Sequence, residues 1–180
     1  MSETALSVVL FLHLSFIAVW VGSQVLTAVA VVPSVRRLEQ GEARLAVLET
    51  FTSRFNIVAW VSMTVIVITG GIMVGERLDQ VRDIFGDSLF DSRWGIIFVI
   101  KMTLWALMVV AVGVHAFLVG PRQLDLNRQA LDHDEAWAER HLRPLQTRSI
   151  LLSISGLLLS LLVLGSGAFL GNHGFSFQFA

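Results

Sequence analysis

Four stretches of this chain are apolar for longer than a water-soluble fold normally requires: Ala5–Val32, Ile57–Gly75, Trp94–Gly120 and Ile150–Gly171. A helix needs about 20 mainly apolar residues to cross the hydrocarbon of a bilayer. It suits that solvent because its backbone donors and acceptors are satisfied within the segment. The four runs predict an all-α integral membrane four-helix bundle, with residues 1–180 as a single transmembrane domain. Ahead of the first run there is no Lys or Arg, and the run carries His13 and Trp20. It also outlasts the roughly 7–15-residue apolar core of a signal peptide, so it reads as a retained helix.

Composition enters as support. Apolar residues make up 54% of the chain and charged ones only 15%, with a mean hydropathy of +0.71, whereas a soluble domain is about a quarter charged. A soluble enzyme, a disordered chain and a nucleic-acid partner are all disfavoured; the lipid bilayer is the expected partner. The absence of cysteine excludes disulfides, iron–sulfur clusters, thiolate zinc and covalent haem attachment through CxxCH.

Basic residues in short loops set orientation. Arg36, Arg37, Arg44 and Arg54 lie in the first connection and Arg122, Arg128, Arg140, Arg143 and Arg148 in the third. The second connection has only Arg77, Arg82 and Arg93, alongside Glu76, Asp79, Asp83, Asp87 and Asp91. Both termini are therefore expected on the outer, periplasmic side of a bacterial-type inner (plasma) membrane. In the first connection, Leu38, Leu45, Leu48 and Phe51–Phe55 recur at helical spacing. That pattern fits either an interfacial amphipathic helix or an extension of a neighbouring span. From Leu124 to Leu145 the third connection shows little apolar periodicity, and Pro121 and Pro144 bracket it as expected helix boundaries, so it reads as a solvated linker. No repeat with a period in the 20–50-residue range is visible.

Polar side chains inside the spans are costly in hydrocarbon and should face the bundle interior. In the first span His13, Trp20, Gln24 and Thr27 share one helical face, and in the third Lys101, Trp105, Met108 and His115 share another. Counting from the span starts puts His13 and Lys101 at one level, about 10–12 Å inside the boundary, with His115 about 21 Å deeper than Lys101. One metal ion cannot be held by His13 and His115 together. Separate sites would need other partners, with His173 the candidate for His13 and His141 the candidate for His115. Lys101 has no carboxylate within the spans and either snorkels toward Asp87 or Asp91 or meets an anionic partner. The fourth span carries a small-residue stripe, Ser149, Ser153, Gly156, Ser160, Gly167 and Gly171, suited to close helix packing or to a slot for a flat cofactor. Met63, Met73, Met102 and Met108 look scattered, and His133 and His141 sit among acids as in a solvated face.

Two local motifs are more specific. Leu12-His13 is followed by Trp20-Val21-Gly22, and Trp94-Gly95 is followed after five residues by Lys101. Together they resemble the membrane domain of the copper-resistance D proteins, whose relatives include the HemJ-type protoporphyrinogen oxidases, small four-helix membrane proteins associated with haem b. The resemblance covers about a third of the chain and departs from the family pattern at Ser23, where a second glycine is usual. It implies His13 as a haem or metal ligand, Trp20 and Gly22 as shaping the pocket, and Lys101 as an essential membrane charge. His115, and His173 for a metal, complete the candidate set.

The leading expectation is a b-type haem protein acting as an electron-transfer (redox) subunit, or a haem-dependent membrane oxidoreductase. One alternative is a copper transport or resistance protein using His13 and methionines. Another is a cofactor-free accessory subunit of a larger respiratory or photosynthetic complex. A membrane protein partner or a homo-oligomer is expected under each.

Overall fold

The computed structural model describes residues 1–39, 41–76, 89–90 and 92–172. Helix α1 spans Glu3–Leu26, α2 Val32–Arg37, α3 Glu42–Gly75, α4 Arg93–Val114, α5 Gly120–Gln129 and α6 Glu135–Gly171. Short π-helical turns, Thr27–Val31 and His115–Val119, join α1 to α2 and α4 to α5. No strand occurs among the described residues. Four continuous helical stretches, Glu3–Arg37, Glu42–Gly75, Arg93–Gln129 and Ala136–Gly171, are each long and apolar enough to cross a membrane.

Helices of 34 and 37 residues, such as α3 and α6, are about 50–55 Å long. The hydrocarbon they cross is only about 30 Å thick. Much of the first connection is thus an extension of the neighbouring helices, one of the two readings its periodicity allowed. The third connection corrects the expectation of a solvated linker: it folds into α5 and the start of α6. Leu126, Ala138 and Leu142 bury one another there, with Ala130, Trp137 and Leu145 packed around them. Pro121 lies at the start of α5, but Pro144 sits inside α6 rather than at a boundary.

The two π turns have a common cause. Pro33 and Pro121 lack an N–H, and in a regular α-helix their rings would strike the carbonyls four residues back. Each proline follows a turn widened to i→i+5 bonding, Val32 N–H to Thr27 O in the first and Gly120 N–H to His115 O in the second. The chain stays helical past both prolines instead of stopping.

A shift of 88 residues carries Thr27 onto His115 and Pro33 onto Pro121, and the same shift pairs His13 with Lys101 and Trp20 with Met108. On the partner helices, a shift of 97 carries Ala59 onto Gly156, Met63 onto Ser160, Thr69 onto Ser166 and Gly70 onto Gly167. The bundle is therefore two successive helical hairpins, α1–α3 and α4–α6, whose π turns and the prolines after them fall at matching positions. Each hairpin packs along its length, and α1 lies against α6.

The surface is apolar and the interior only partly so. Phe11, Val29 and Val110 are 68%, 72% and 62% exposed, whereas the central buried cluster is Trp20, Ala59, Met63 and Met108. Such an inside-out distribution belongs to a protein whose solvent is lipid. Both termini-proximal helix ends lie at one end of the bundle: the Met1 ammonium pairs with Glu76 at 2.9 Å, and Trp94 packs on Leu170. At this end Ser92 caps α4 by accepting from the Gly95 N–H, and a Cβ at Gly95 would run into the Leu89 carbonyl. The arginine-rich connections occupy the other end. There Arg128 joins α5 to α3, its Nε and Nη2 both donating to Glu49 Oε1 at 2.9 and 2.8 Å.

Candidate functional site

Three polar levels are stacked along the bundle interior. Nearest the termini end, His13 Nδ1 lies 2.8 Å from Thr69 Oγ1 on α3. The Thr69 hydroxyl donates to Val65 O at 2.6 Å, so its oxygen is left to accept from the His13 Nδ1–H. That assignment gives the imidazole a free Nε2 lone pair, and orienting a histidine ligand through its other nitrogen is a common arrangement at metal sites. Gly70 makes the approach possible: its Cβ would fall 3.3 Å from His13 Cε1. Lys101 occupies the equivalent place in the second hairpin, its Nζ 3.5 Å from the Cβ position of Gly167 and within Coulombic range of His13. The expected sharing of one level is met.

At mid-depth the buried hydroxyl of Ser160 is a hub. It accepts from Trp20 Nε1 at 3.0 Å and Gln24 Nε2 at 2.9 Å, filling both lone pairs. Its own proton faces Gly156 O at 2.8 Å and Met108 Sδ at 3.2 Å. Each donor of this hub is satisfied, as a buried polar cluster requires, whereas the buried Ser62 hydroxyl on α3 has no partner among the described residues. Part of the α6 small-residue stripe is thus explained by polar packing: Gly156 lies beside Gln24 and Ser160 binds α1. Met63 and Met108, which look scattered in the sequence, belong to one buried cluster with Trp20. The signal for Met63 was the face Ala59, Met63, Ile66, Gly70 on α3, which is apolar and so indistinguishable from plain core.

His115 opens the second π turn near the arginine-rich end, and its buried Nδ1 has no hydrogen-bond partner among the described residues. Close by, a cavity of about 450 Å³ is lined by Glu49, Thr52, Ser53 and Asn56 of α3 and by Pro121, Leu124 and Arg128. π turns are frequent at functional sites.

Other candidates are placed differently. Gly22 has nothing within 4 Å of its Cβ position, because two residues beyond Trp20 is the opposite side of the helix. His141, a possible mate for His115, instead stacks on Trp137 at 4.3 Å and bonds the Trp137 carbonyl. His133 also stacks on Trp137, at 4.3 Å. His173, Asp87 and Asp91 lie outside the described residues. No group of three or more His, Asp or Glu able to hold a metal occurs among the described residues. The interior gives a b-type haem no support. His13 packs on Gly70, and the level below is filled by Trp20, Met63 and Met108.

Fold and site define a multi-pass membrane protein: a four-span bundle with a histidine- and methionine-bearing core. A family model for copper resistance protein D matches residues 49–170, about two-thirds of the chain, and the protein belongs to that family. The matched segment holds Trp94, Gly95, Lys101 and His115 but begins after His13 and Trp20. No curated relative and no solved structure matches the chain. Copper relevance follows from the family, in place of the haem reading.

Proposed function

We propose that this protein binds Cu(I) within the inner membrane and moves it between the outer, termini-bearing face and the arginine-rich cytoplasmic face. The observation that carries the reading is the burial of Met63 and Met108 in one cluster midway between His13 and His115. Thioether and imidazole are the soft and borderline ligands that Cu(I) selects. His13 offers Nε2 at the outer level, the two thioethers sit about 10 Å deeper, and His115 lies about 10 Å beyond Met108. One ion cannot touch two levels at once, so transfer requires the hairpins to shift against each other. Ser160 can release the Met108 sulfur by turning its proton to Gly156 O, a change that costs no hydrogen bond.

Cu(I) titration of the purified protein under reducing conditions, against a competing chelator, tests this. Wild type should bind, His13→Ala and the Met63→Leu/Met108→Leu pair should each weaken binding about tenfold or more, equivalent to about 1.4 kcal/mol, and proteoliposome uptake should fall in parallel. A wild-type protein that takes up no copper, or a double leucine variant with unchanged affinity and uptake, overturns the reading.

A further inference from the structure

Copper transfer between the histidine and methionine levels makes no use of the cavity between α3 and α5. Its position follows from the ends of two spans. Thr52, Ser53 and Asn56 come just before the apolar run that starts at Ile57, while Pro121, Leu124 and Arg128 follow the run that ends at Gly120. The recess therefore lies at the arginine-rich end, where hydrocarbon gives way to headgroups. Its volume of about 450 Å³ falls within the roughly 300–1,000 Å³ of small-molecule sites.

Two charges line it, one of each sign, Glu49 and Arg128. Both contacts between them end on Glu49 Oε1, so Oε2 can still accept and Arg128 Nη1 can still donate. Thr52, Ser53 and Asn56 add two hydroxyls and a carboxamide. A lone anion there meets the carboxylate and a lone cation meets the guanidinium, whereas a ligand carrying both charges finds a partner for each. The wall nearer the middle of the bundle is apolar. Trp60 lies on the same face of α3 as Ser53 and Asn56, about 6 Å beyond Asn56, and packs on Phe117 with ring centroids 5.7 Å apart. Both rings are exposed, as are Ile57 on α3 and Leu118 in the π turn. An apolar shelf thus leads from the polar recess into the hydrocarbon.

We propose that this seam binds a phospholipid whose headgroup carries a primary ammonium, phosphatidylethanolamine. The ammonium donates to Glu49, the phosphate accepts from Arg128 and the Thr52, Ser53 and Asn56 side chains, and an acyl chain lies along Trp60 and Phe117. A choline headgroup has the same charges but no N–H for Glu49, and a glycerol headgroup has no cation.

Native mass spectrometry of the copper-free protein tests this, so its outcome is separable from that of the copper reading. The protein is stripped of lipid in detergent and offered equal amounts of the dioleoyl ethanolamine, choline and glycerol phospholipids. Wild type should retain the ethanolamine lipid about tenfold over either competitor, the effect of one hydrogen bond to a charged group. Glu49→Gln should lose that preference and shift toward the anionic glycerol lipid, because Arg128 then lacks its counter-charge; helicity and elution volume check that the variant is folded. Glu139→Gln, which breaks the exposed pair with Arg143 instead, should keep the wild-type preference. Equal retention of the three lipids by wild type, or an undiminished preference in Glu49→Gln, overturns the proposal. Displacement of the bound lipid by an equal concentration of water-soluble glycerophosphoethanolamine would assign the recess to a soluble zwitterion and overturn it equally.

Discussion

The two hairpins share a backbone and differ in their chemistry. Both first helices end in a π turn followed by a proline, and both second helices present a small residue, Gly70 or Gly167, to the polar side chain opposite. On that common frame His13 stands against Lys101, Trp20 against Met108, and Thr27 against His115. The hairpins match where the chain must pass a proline or approach a neighbour closely, and differ in the side chains they turn to the interior. The site is consequently built once, from unlike halves.

Substitutions at matched positions should expose that asymmetry. The largest effect is expected at Gly95, whose counterpart is Ser7. A valine at Gly95 must displace the Leu89 carbonyl and should cost about 3 kcal/mol, the upper end for overpacking. Ser7→Val, on an exposed helix face, should stay within about 0.5 kcal/mol. Thermal unfolding followed by circular dichroism in detergent would show the gap, and equal melting temperatures would contradict the packing described.

Next comes the mid-depth pair. Ser160→Ala strips the acceptor from Trp20 Nε1 and Gln24 Nε2 and should cost about 1–3 kcal/mol. Met63→Leu at the matching position should cost less than about 1.5 kcal/mol, being close to volume-conserving. Tryptophan emission should report loss of the Trp20 bond only in the serine variant. The smallest contrast is between the glycines. Gly70→Ala presses on the fixed His13 ring at 3.3 Å, whereas Gly167→Ala meets only the movable tip of Lys101 at 3.5 Å. The first should lower stability by about 1 kcal/mol, the low end of the overpacking range, and weaken Cu(I) binding; the second should leave folding unchanged. If Gly167→Ala proved the more disruptive, the assignment of flexible and rigid partners would be reversed.

Much of this arrangement was legible in the sequence. Hydropathy alone places four spans, and a period of 3.6 residues puts His13, Trp20 and Gln24 on the inward face that Ser160 and Thr69 meet. Counting residues from each span start put His13 and Lys101 at one level. What sequence could not supply was the rotation of one helix against another. Met63 and Met108 join one buried cluster through the order of helices round the bundle, which no periodicity within either helix records. The α5 helix and the first turns of α6 escaped because their stability comes from Leu126, Ala138 and Leu142 burying one another across a turn, not from an apolar stripe along one helix. Pro33 follows the last residue of the first apolar run and looks like its edge in the sequence, since the remedy for a proline, a widened turn ahead of it, leaves no mark in residue types.

That remedy acts like a phase shifter. One extra residue in a turn advances everything downstream by about 100° around the helix axis, so the direction in which Arg36 and Arg37 point, and the azimuth from which Arg128 reaches Glu49, are fixed by the two widened turns and not by the membrane-buried faces before them. Removing a single residue from Thr27–Val31 or from His115–Val119 would leave the upstream helix where it is and swing the charged arm beyond it by more than a quarter turn. The two halves of each long helix can therefore be tuned separately: the buried part by substitution, the arm by insertion or deletion.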